Sequence, residues 1–511
     1  MRRWKQCLIV AVVALAFPLS AHANVTLRAI IGDHMVLQAD KALPIWGWAE
    51  PGEEVVVTLG EDTLATKANE KGEWRVKLPA RKPSRNPLQM TVAGRNTLKL
   101  TDILVGEVWL GSGQSNMAWP VDISTNSKEE LAQAKLPEIR LFFTPVATSG
   151  TPVSRIASQW IVCNPDTARG FSAVLFFFGR ELHRELNLPV GLIATSVGGT
   201  PIEPWIAPEG FDMIPELEAE RKFYRDSLTS YAKARVDHLT AVQKWVSIAT
   251  PLHEAGKEFP DPPVAPGHPL NGFGTATGLY NAMVHPLVPF AIRGVIWYQG
   301  ESNRGRGMHY HNLQRGLIGG WRKIWNQGDF PFLFVQLAPY RYDDNVTLLP
   351  EIWEAQTAGL KLSNTGMAVT TDISTINDIH PPNKLDVGKR LALWALAKTY
   401  DKNVVYSGPL MESFQVDGDA IRVKFQHSAG LKSRDGKPLT WFSVAGEDKK
   451  FVAATATIEG DAVVVRADGV AKPVAVRFGW NQIAEPNLVN AAGLPASPFR
   501  SDVWTDAVNV K

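Results

Sequence analysis

The sequence predicts an α/β protein: a parallel sheet covered by helices on both faces, with a β module at each end. Three observations carry that prediction. Between residues 102 and 402, strand-like apolar runs alternate with helical ones, the pattern of a parallel sheet whose crossovers lie on its faces. Before and after that stretch, short strand-like runs are separated by turn residues. Polar motifs stand where the strand-like runs of the middle region stop, and open α/β sheets bind ligands at the carboxyl ends of their strands. At 511 residues the chain is too long for one core, so two to four domains are expected.

The first 23 residues read as a signal peptide. Arg2, Arg3 and Lys5 open the chain, Leu8 to Leu19 is apolar, and Ala21-His22-Ala23 has the small-x-small form of a cleavage site. About twelve apolar residues fall short of the roughly 20 that a membrane span needs. Cys7 precedes the apolar run, which argues against a lipid-anchored start. A periplasmic or extracellular location is expected. Without the leader, 50 Lys plus Arg face 51 Asp plus Glu, a formal charge of −1. That balance points neither to nucleic acid nor to an anionic membrane face. Only Cys163 remains, which excludes an intrachain disulfide and a cysteine zinc cluster. The 17 tryptophans suit either stacking on sugar faces or large core side chains, and the core accounts for most of them.

Residues 24–101 are expected to form a small β-sandwich. Val55 to Leu59, Glu73 to Leu78 and Leu88 to Val92 are short strand-like runs, separated by turns such as Pro51-Gly52, Glu70-Lys71-Gly72 and Gly94-Arg95-Asn96. The pattern changes near residue 102. Ile103 to Leu110, Val190 to Thr195, Val295 to Tyr298, Phe332 to Leu337 and Met367 to Thr371 then read as strands. Helices are expected from Phe176 to Leu186, from Met308 to Trp325, where Leu313, Leu317, Ile318, Trp321 and Trp325 recur near helical spacing, and from Lys384 to Tyr400. Within this domain, 208–270 is an insertion: a charged helical part to about 250, then a Pro-rich loop. Insertions of this kind wall clefts. From 403 to 511 alternation returns in Ile421 to Phe425, Ala453 to Ile458, Ala462 to Val465 and Val474 to Phe478, a second β module.

The most informative motif is Gly113-Gln114-Ser115-Asn116-Met117, which puts a serine hydroxyl on the turn leaving a strand. Serine is a poor nucleophile until a base takes its proton and donors stabilise the resulting oxyanion. Asp378-Ile379-His380-Pro381 offers the base, with an acid two residues before it. A histidine base needs one ring nitrogen facing the serine and the other held by an acceptor, here either Asp378 or a main-chain carbonyl. Asp372 is a weaker candidate that closes a turn. For the oxyanion, the Ser115 amide comes first, Gly198-Gly199 offers unhindered backbone N–H groups, and the side-chain amide of Gln299 or Asn303 supplies a third donor. Glu203 and Trp205 frame a pocket or pack in the core. A Gly-x-Ser-x-Gly elbow is excluded, because Met117 stands where its last glycine would be. His309 and His311 lack carboxylate partners nearby and Asp343-Asp344 reads as a turn, so no metal is expected. No carboxylate pair at a strand end supports glycoside hydrolysis.

Taken together, Gly113 to Met117, Ser196-Val197-Gly198-Gly199-Thr200, Leu279-Tyr280-Asn281-Ala282-Met283, Trp297 to Asn303 and Asp378 to Pro381 resemble the sialate O-acetylesterase family within the SGNH-type hydrolases. The resemblance runs from about 100 to 400, and the flanking β modules are similar to that family's layout. It implies Ser115 as nucleophile, His380 as base, Asp378 as orienting acid, an oxyanion hole drawn from Ser115, Gly198, Gly199, Gln299 and Asn303, and Glu301 near the substrate. Two places depart from the general SGNH pattern. Asp-x-His replaces Asp-x-x-His, and Gln-Gly-Glu-Ser-Asn stands where Gly-x-Asn-Asp would be. The first leaves the acid open and the second the side-chain donor.

The expectation is therefore an exported serine esterase, without cofactor, that removes O-acetyl groups from carbohydrates through an acyl-enzyme. Acetylated sialic acids, 9-O-acetylated ones first, are the substrate that the resemblance implies. Acetylxylan and other plant polysaccharides fit the residues equally. The rival from another class is a carbohydrate-binding protein without turnover, against which the filled catalytic positions argue.

Overall fold

A computed structural model describes residues 24–504, so the leader expected over 1–23 lies outside the described residues. At its centre seven strands run in the order Trp160–Cys163, Leu136–Phe143, Val190–Ser196, Thr97–Gly113, Gly294–Tyr298, Phe332–Val335 and Thr365–Ala368. Six are parallel, and Trp160–Cys163 closes one edge antiparallel. Parallel strands buried on both faces need apolar residues at every position rather than at alternate ones. Gly294–Tyr298 shows this, being buried throughout.

Helices cover both faces. On one, Phe178 of helix Ala173–Leu186 meets Trp109 edge-on at 4.9 Å, and a side chain at Gly111 would strike Leu175 at 2.8 Å. Helix Lys384–Lys398 packs beside it, so closely that a Cβ on Gly388 would lie 2.8 Å from that of Phe177. On the opposite face, Trp297 packs between Trp205 and Trp321, the latter carried by helix His309–Trp325.

The strand Thr97–Gly113 ties the N-terminal module to this sheet. Its first half pairs antiparallel with Ser84–Ala93 and is partly exposed up to Asp102; from Ile103 onward it is wholly buried, and its last residues lie between Val190–Ser196, paired from Glu107, and Gly294–Tyr298, paired from Trp109. The change of pattern near residue 102 is therefore a change of burial inside one continuous strand. Asp102 itself bends the strand at φ 54°, a left-handed conformation that non-glycine residues adopt at a cost. Arg140 holds it there with two hydrogen bonds to its carboxylate, 2.6 and 3.1 Å long. One hydrophobic core runs from Val25 through the sheet to Leu396.

The C-terminal module has its own core, from Ile421 to Phe499, between two four-stranded antiparallel sheets. It is docked on the middle domain by Arg500, which donates to both carboxylate oxygens of Glu354 at 3.0 and 2.7 Å, and by Gln336, which donates to Ser497 Oγ at 2.9 Å. The insertion is more helical than its prolines suggest. After Pro208–Met213, a 37-residue helix, Glu218–Glu254, runs on past Pro251. Among the described residues, no helix is long and apolar enough to cross a membrane.

Candidate active site

The serine turn is shaped by how the central strand ends. Gly113 has φ 139°, and a Cβ there would stand 2.1 Å from the carbonyl oxygen of Tyr298, so only glycine fits. Gln114 N–H then donates to that same Tyr298 carbonyl at 3.0 Å. A short helix, Ser115–Ala118, begins at once, with the N–H groups of Met117 and Ala118 bonded to the Gln114 carbonyl. Asn116 and Met117 point inward and Ser115 stays half-buried at the strand end.

His380 reaches it from 265 residues away. Its Nε2 lies 2.8 Å from Ser115 Oγ, and its ring stacks on Trp119 with centroids 5.0 Å apart and planes 20° from parallel. Burial pushes the imidazole pKa below its usual value, the Lys384 ammonium adds to that, and Asp378 opposes it. A base that stays neutral to lower pH is ready to accept the serine proton.

Asp378 stands differently from a buried triad acid. Its Oδ1 accepts the main-chain N–H of His380 at 2.8 Å but lies 3.9 Å from the ring Nδ1, beyond hydrogen-bonding range. Its side chain is 51 % exposed, against 28 % for His380. Asp372 is occupied elsewhere: Arg390 donates to both its oxygens, at 2.6 and 2.7 Å, which pins helix Lys384–Lys398 to the end of the sheet.

The oxyanion candidates divide. Gly198 lies beside Ser115, a Cβ on it falling 3.4 Å from that of the serine, and Gly199 next to it turns at φ 72° in open space. Gln299 faces the other way. Both of its amide hydrogens are given, to Thr200 O at 3.2 Å and to Asn303 Oδ1 at 2.7 Å, while its oxygen accepts from Tyr310. With no N–H left, it braces the wall and is not an oxyanion donor. Asn303 is committed at three of its four hydrogen-bonding positions, accepting also from Ile202 N–H and donating to Glu203 Oε2. Trp205 is corrected as well. It is fully buried against Trp297, its indole N–H on Thr200 Oγ1, so it belongs to the core and meets no sugar.

Glu203 does border open space. With Asn303 and Arg306 it faces Ala219, Glu220 and Phe223 of the long inserted helix across a cleft of about 590 Å³. The insertion thus walls a cleft that Pro201, Ser302 and Asn303, from the loops after Val190–Ser196 and Gly294–Tyr298, also line. Among the described residues, no group of three His, Cys, Asp or Glu side chains gathers as metal ligands. His309 pairs with Glu220 at 2.7 Å, and Asp343 pairs with Arg304.

Of the residues behind the serine, sequence reasoning assigns no role to Asn116 or Lys384 and places Glu301 near the substrate. Asn116 donates to Glu301 Oε1 at 2.6 Å and to the Ile379 carbonyl at 3.0 Å, joining the serine turn to the histidine loop. Lys384 Nζ donates to Asn116 Oδ1. Glu301 therefore lies behind the serine turn, its carboxyl pKa raised by burial. Asn116 lies inside the quoted pentapeptide and Glu301 inside the Trp297 to Asn303 motif, whereas Lys384 lies in none of the quoted motifs.

Comparison with known proteins gives this geometry its setting. Residues 262–397 match the family described as carbohydrate esterase, sialic acid-specific acetylesterase. Sialate O-acetylesterases from Rattus norvegicus and Mus musculus are each 30% identical to this chain, over 93% and 95% of it and the same shares of their own lengths. The chain belongs to the sialate O-acetylesterase family. Membership makes it a carboxylic ester hydrolase. A crystal structure of a carbohydrate acetylesterase from Xanthomonas citri shares 34% identity with this family member and superposes with a TM-score of 0.80, covering 94% of this chain and 100% of the other.

Proposed function

We propose that this protein is an exported carbohydrate O-acetylesterase of SGNH type that works through a serine acyl-enzyme. Ser115 Oγ attacks the acetyl carbonyl carbon while His380 Nε2 takes the hydroxyl proton. The tetrahedral oxyanion is held by the Ser115 and Gly198 amides and by the remaining N–H of Asn303. Collapse breaks the bond to the sugar oxygen, which leaves with the proton from His380. Water, deprotonated by the same imidazole, then attacks the acetyl-serine and releases acetate. The observation that carries this reading is the 2.8 Å separation of Ser115 Oγ and His380 Nε2.

The substrate we propose is an O-acetylated sialic acid, 9-O-acetylated first, bound along the cleft beside Glu203, Arg306 and Phe223. The names of the rodent relatives support it. Acetylated plant polysaccharides are the second reading, because the Xanthomonas structure is described only as a carbohydrate acetylesterase. Acetate release from a p-nitrophenyl ester tests the mechanism: Ser115→Ala is expected to lower turnover by several powers of ten. Wild-type turnover in that variant would sink the proposal. Parallel assays on acetylated sialosides and acetylated xylo-oligosaccharides decide between the sugars.

A further inference from the structure

Lys384 is 1 % exposed, yet it opens helix Lys384–Lys398. Both facts run against stability. Burying an ammonium removes it from water, and the first turn of a helix carries the positive end of the macrodipole, where a cation is disfavoured. A neutral side chain would serve packing better at this position. What the lysine does instead is visible in its contacts. Its ammonium donates to Asn116 Oδ1, which leaves both Asn116 amide hydrogens for the Ile379 carbonyl and Glu301 Oε1. It also lies over the rings of Trp119 at 5.5 Å and Tyr298 at 5.6 Å, and Trp119 is the ring on which His380 stacks.

We infer that Lys384 is a positioning residue for His380, acting through Asn116, which holds the histidine loop in register with the serine turn, and through its positive charge. The inference rests on the serine–histidine reading above. The orientation argument is one of valence. An asparagine can point its oxygen or its nitrogen either way, and a purely donating ammonium on one side fixes the oxygen there and the two N–H bonds opposite. The Ile379 carbonyl that receives one of them is the residue before His380, so the imidazole is anchored by its own backbone. His380 faces Lys384 across the helix start and Asp378 on its own loop; Lys384 in turn faces Glu301, Asp378 and Tyr298. Burial lowers the Lys384 pKa to about 7. Below that pH the ammonium is charged, and its repulsion favours a neutral His380.

The test compares Lys384→Met and Asn116→Ala with wild type, all against Ser115→Ala, using p-nitrophenyl acetate and full pH profiles of kcat/KM. For folded Lys384→Met, kcat falls about tenfold to a hundredfold with KM within about twofold, and the acid limb of the profile moves to higher pH because the repelling charge is gone. Asn116→Ala keeps the charge but cuts the link, so kcat falls while the acid limb moves less. A lysine that only fills space gives a lower kcat with an unmoved limb, and that result overturns the inference, as does a Lys384→Met enzyme with wild-type kcat. If Lys384→Met fails to fold, wild-type kcat in Asn116→Ala overturns it instead. Should Ser115→Ala remain active, the mechanism itself fails; should only the lysine and asparagine variants behave as wild type, the mechanism stands and this inference falls.

Discussion

The two sides of the serine are built on opposite principles. On the inner side, Gln299, Asn303 and Glu203 form a buried polar wall in which each side chain holds another or holds backbone: Gln299 on Thr200 and Asn303, Asn303 on Ile202 and Glu203. On the outer side, His380 sits on a loop whose acid is half exposed and 3.9 Å from the ring nitrogen it would orient. Buried hydrogen bonds strengthen one another and fix one geometry, whereas an exposed carboxylate contributes little beyond what water does. The inner wall is thus a rigid reference surface. His380, carried on the looser side, gets its orientation from stacking on Trp119 and from the Asn116 bond to the preceding carbonyl more than from Asp378.

The largest expected effect falls on the looser side, because chemistry rather than rigidity decides it. His380→Ala removes the proton acceptor and should lower kcat by about 10³-fold or more with little change in KM, read on p-nitrophenyl acetate after subtracting spontaneous hydrolysis. Retention of even a tenth of the activity would break the comparison. Next comes the ion pair beneath the histidine loop. Asp372→Ala takes the carboxylate from a mostly buried Arg390 guanidinium that keeps only its bond to the Val369 carbonyl, a loss of about 3 kcal/mol in urea unfolding. The folded fraction should keep kcat within about threefold. A stable variant with low kcat would instead place Asp372 in the catalytic machinery.

How much of this was legible beforehand depended on whether a residue's role is local. Ser115 and His380 could be singled out because each stands in a polar motif, one where the strand Thr97–Gly113 stops and the other on the loop between Thr365–Ala368 and helix Lys384–Lys398. The strands Leu136–Phe143 and Trp160–Cys163 were not read out. One carries Pro137, Glu138 and Arg140 among its apolar residues, and the other is only four residues long, so neither gives a clean periodic signal. Trp205 and Gln299 turn into the protein because, beside near neighbours in sequence, each meets a partner more than 90 residues away that only the fold brings close: Trp297 for Trp205 and the Thr200 carbonyl for Gln299. Lys384 was invisible for the same reason. A lysine at a helix start looks solvated until Asn116, Trp119 and Tyr298 are brought over it by the fold. The change of pattern near residue 102 reflects the change of burial there, within a strand that continues on both sides of it.

On the inner wall, Asn303→Ala sharpens the contrast. It strips Glu203 of a donor and leaves the Ile202 N–H unpaired, a cost of about 1–3 kcal/mol for each buried group stranded, seen as a lower unfolding midpoint. Activity should fall with it, since the cleft wall and one proposed oxyanion donor go together. Unchanged stability would mean that the wall is less rigid than its hydrogen bonds imply.

The smallest effect separates the two sides most cleanly. A buried, hydrogen-bonded triad aspartate is worth about 10⁴-fold in kcat when replaced by asparagine. Asp378→Asn in this protein is expected to cost less than about 30-fold, because Asp378 is half exposed, sits beyond hydrogen-bonding distance of Nδ1, and its asparagine replacement can still accept the His380 main-chain N–H. The sign of the pH effect gives a second reading. Asp378 raises the His380 pKa, so removing its charge should move the acid limb of kcat/KM to lower pH, opposite to the shift expected for Lys384→Met. A loss near 10⁴-fold would mean that the loop closes during catalysis and brings Asp378 onto the ring. The outer side would then be assembled by substrate rather than held ready by Asn116 and Trp119.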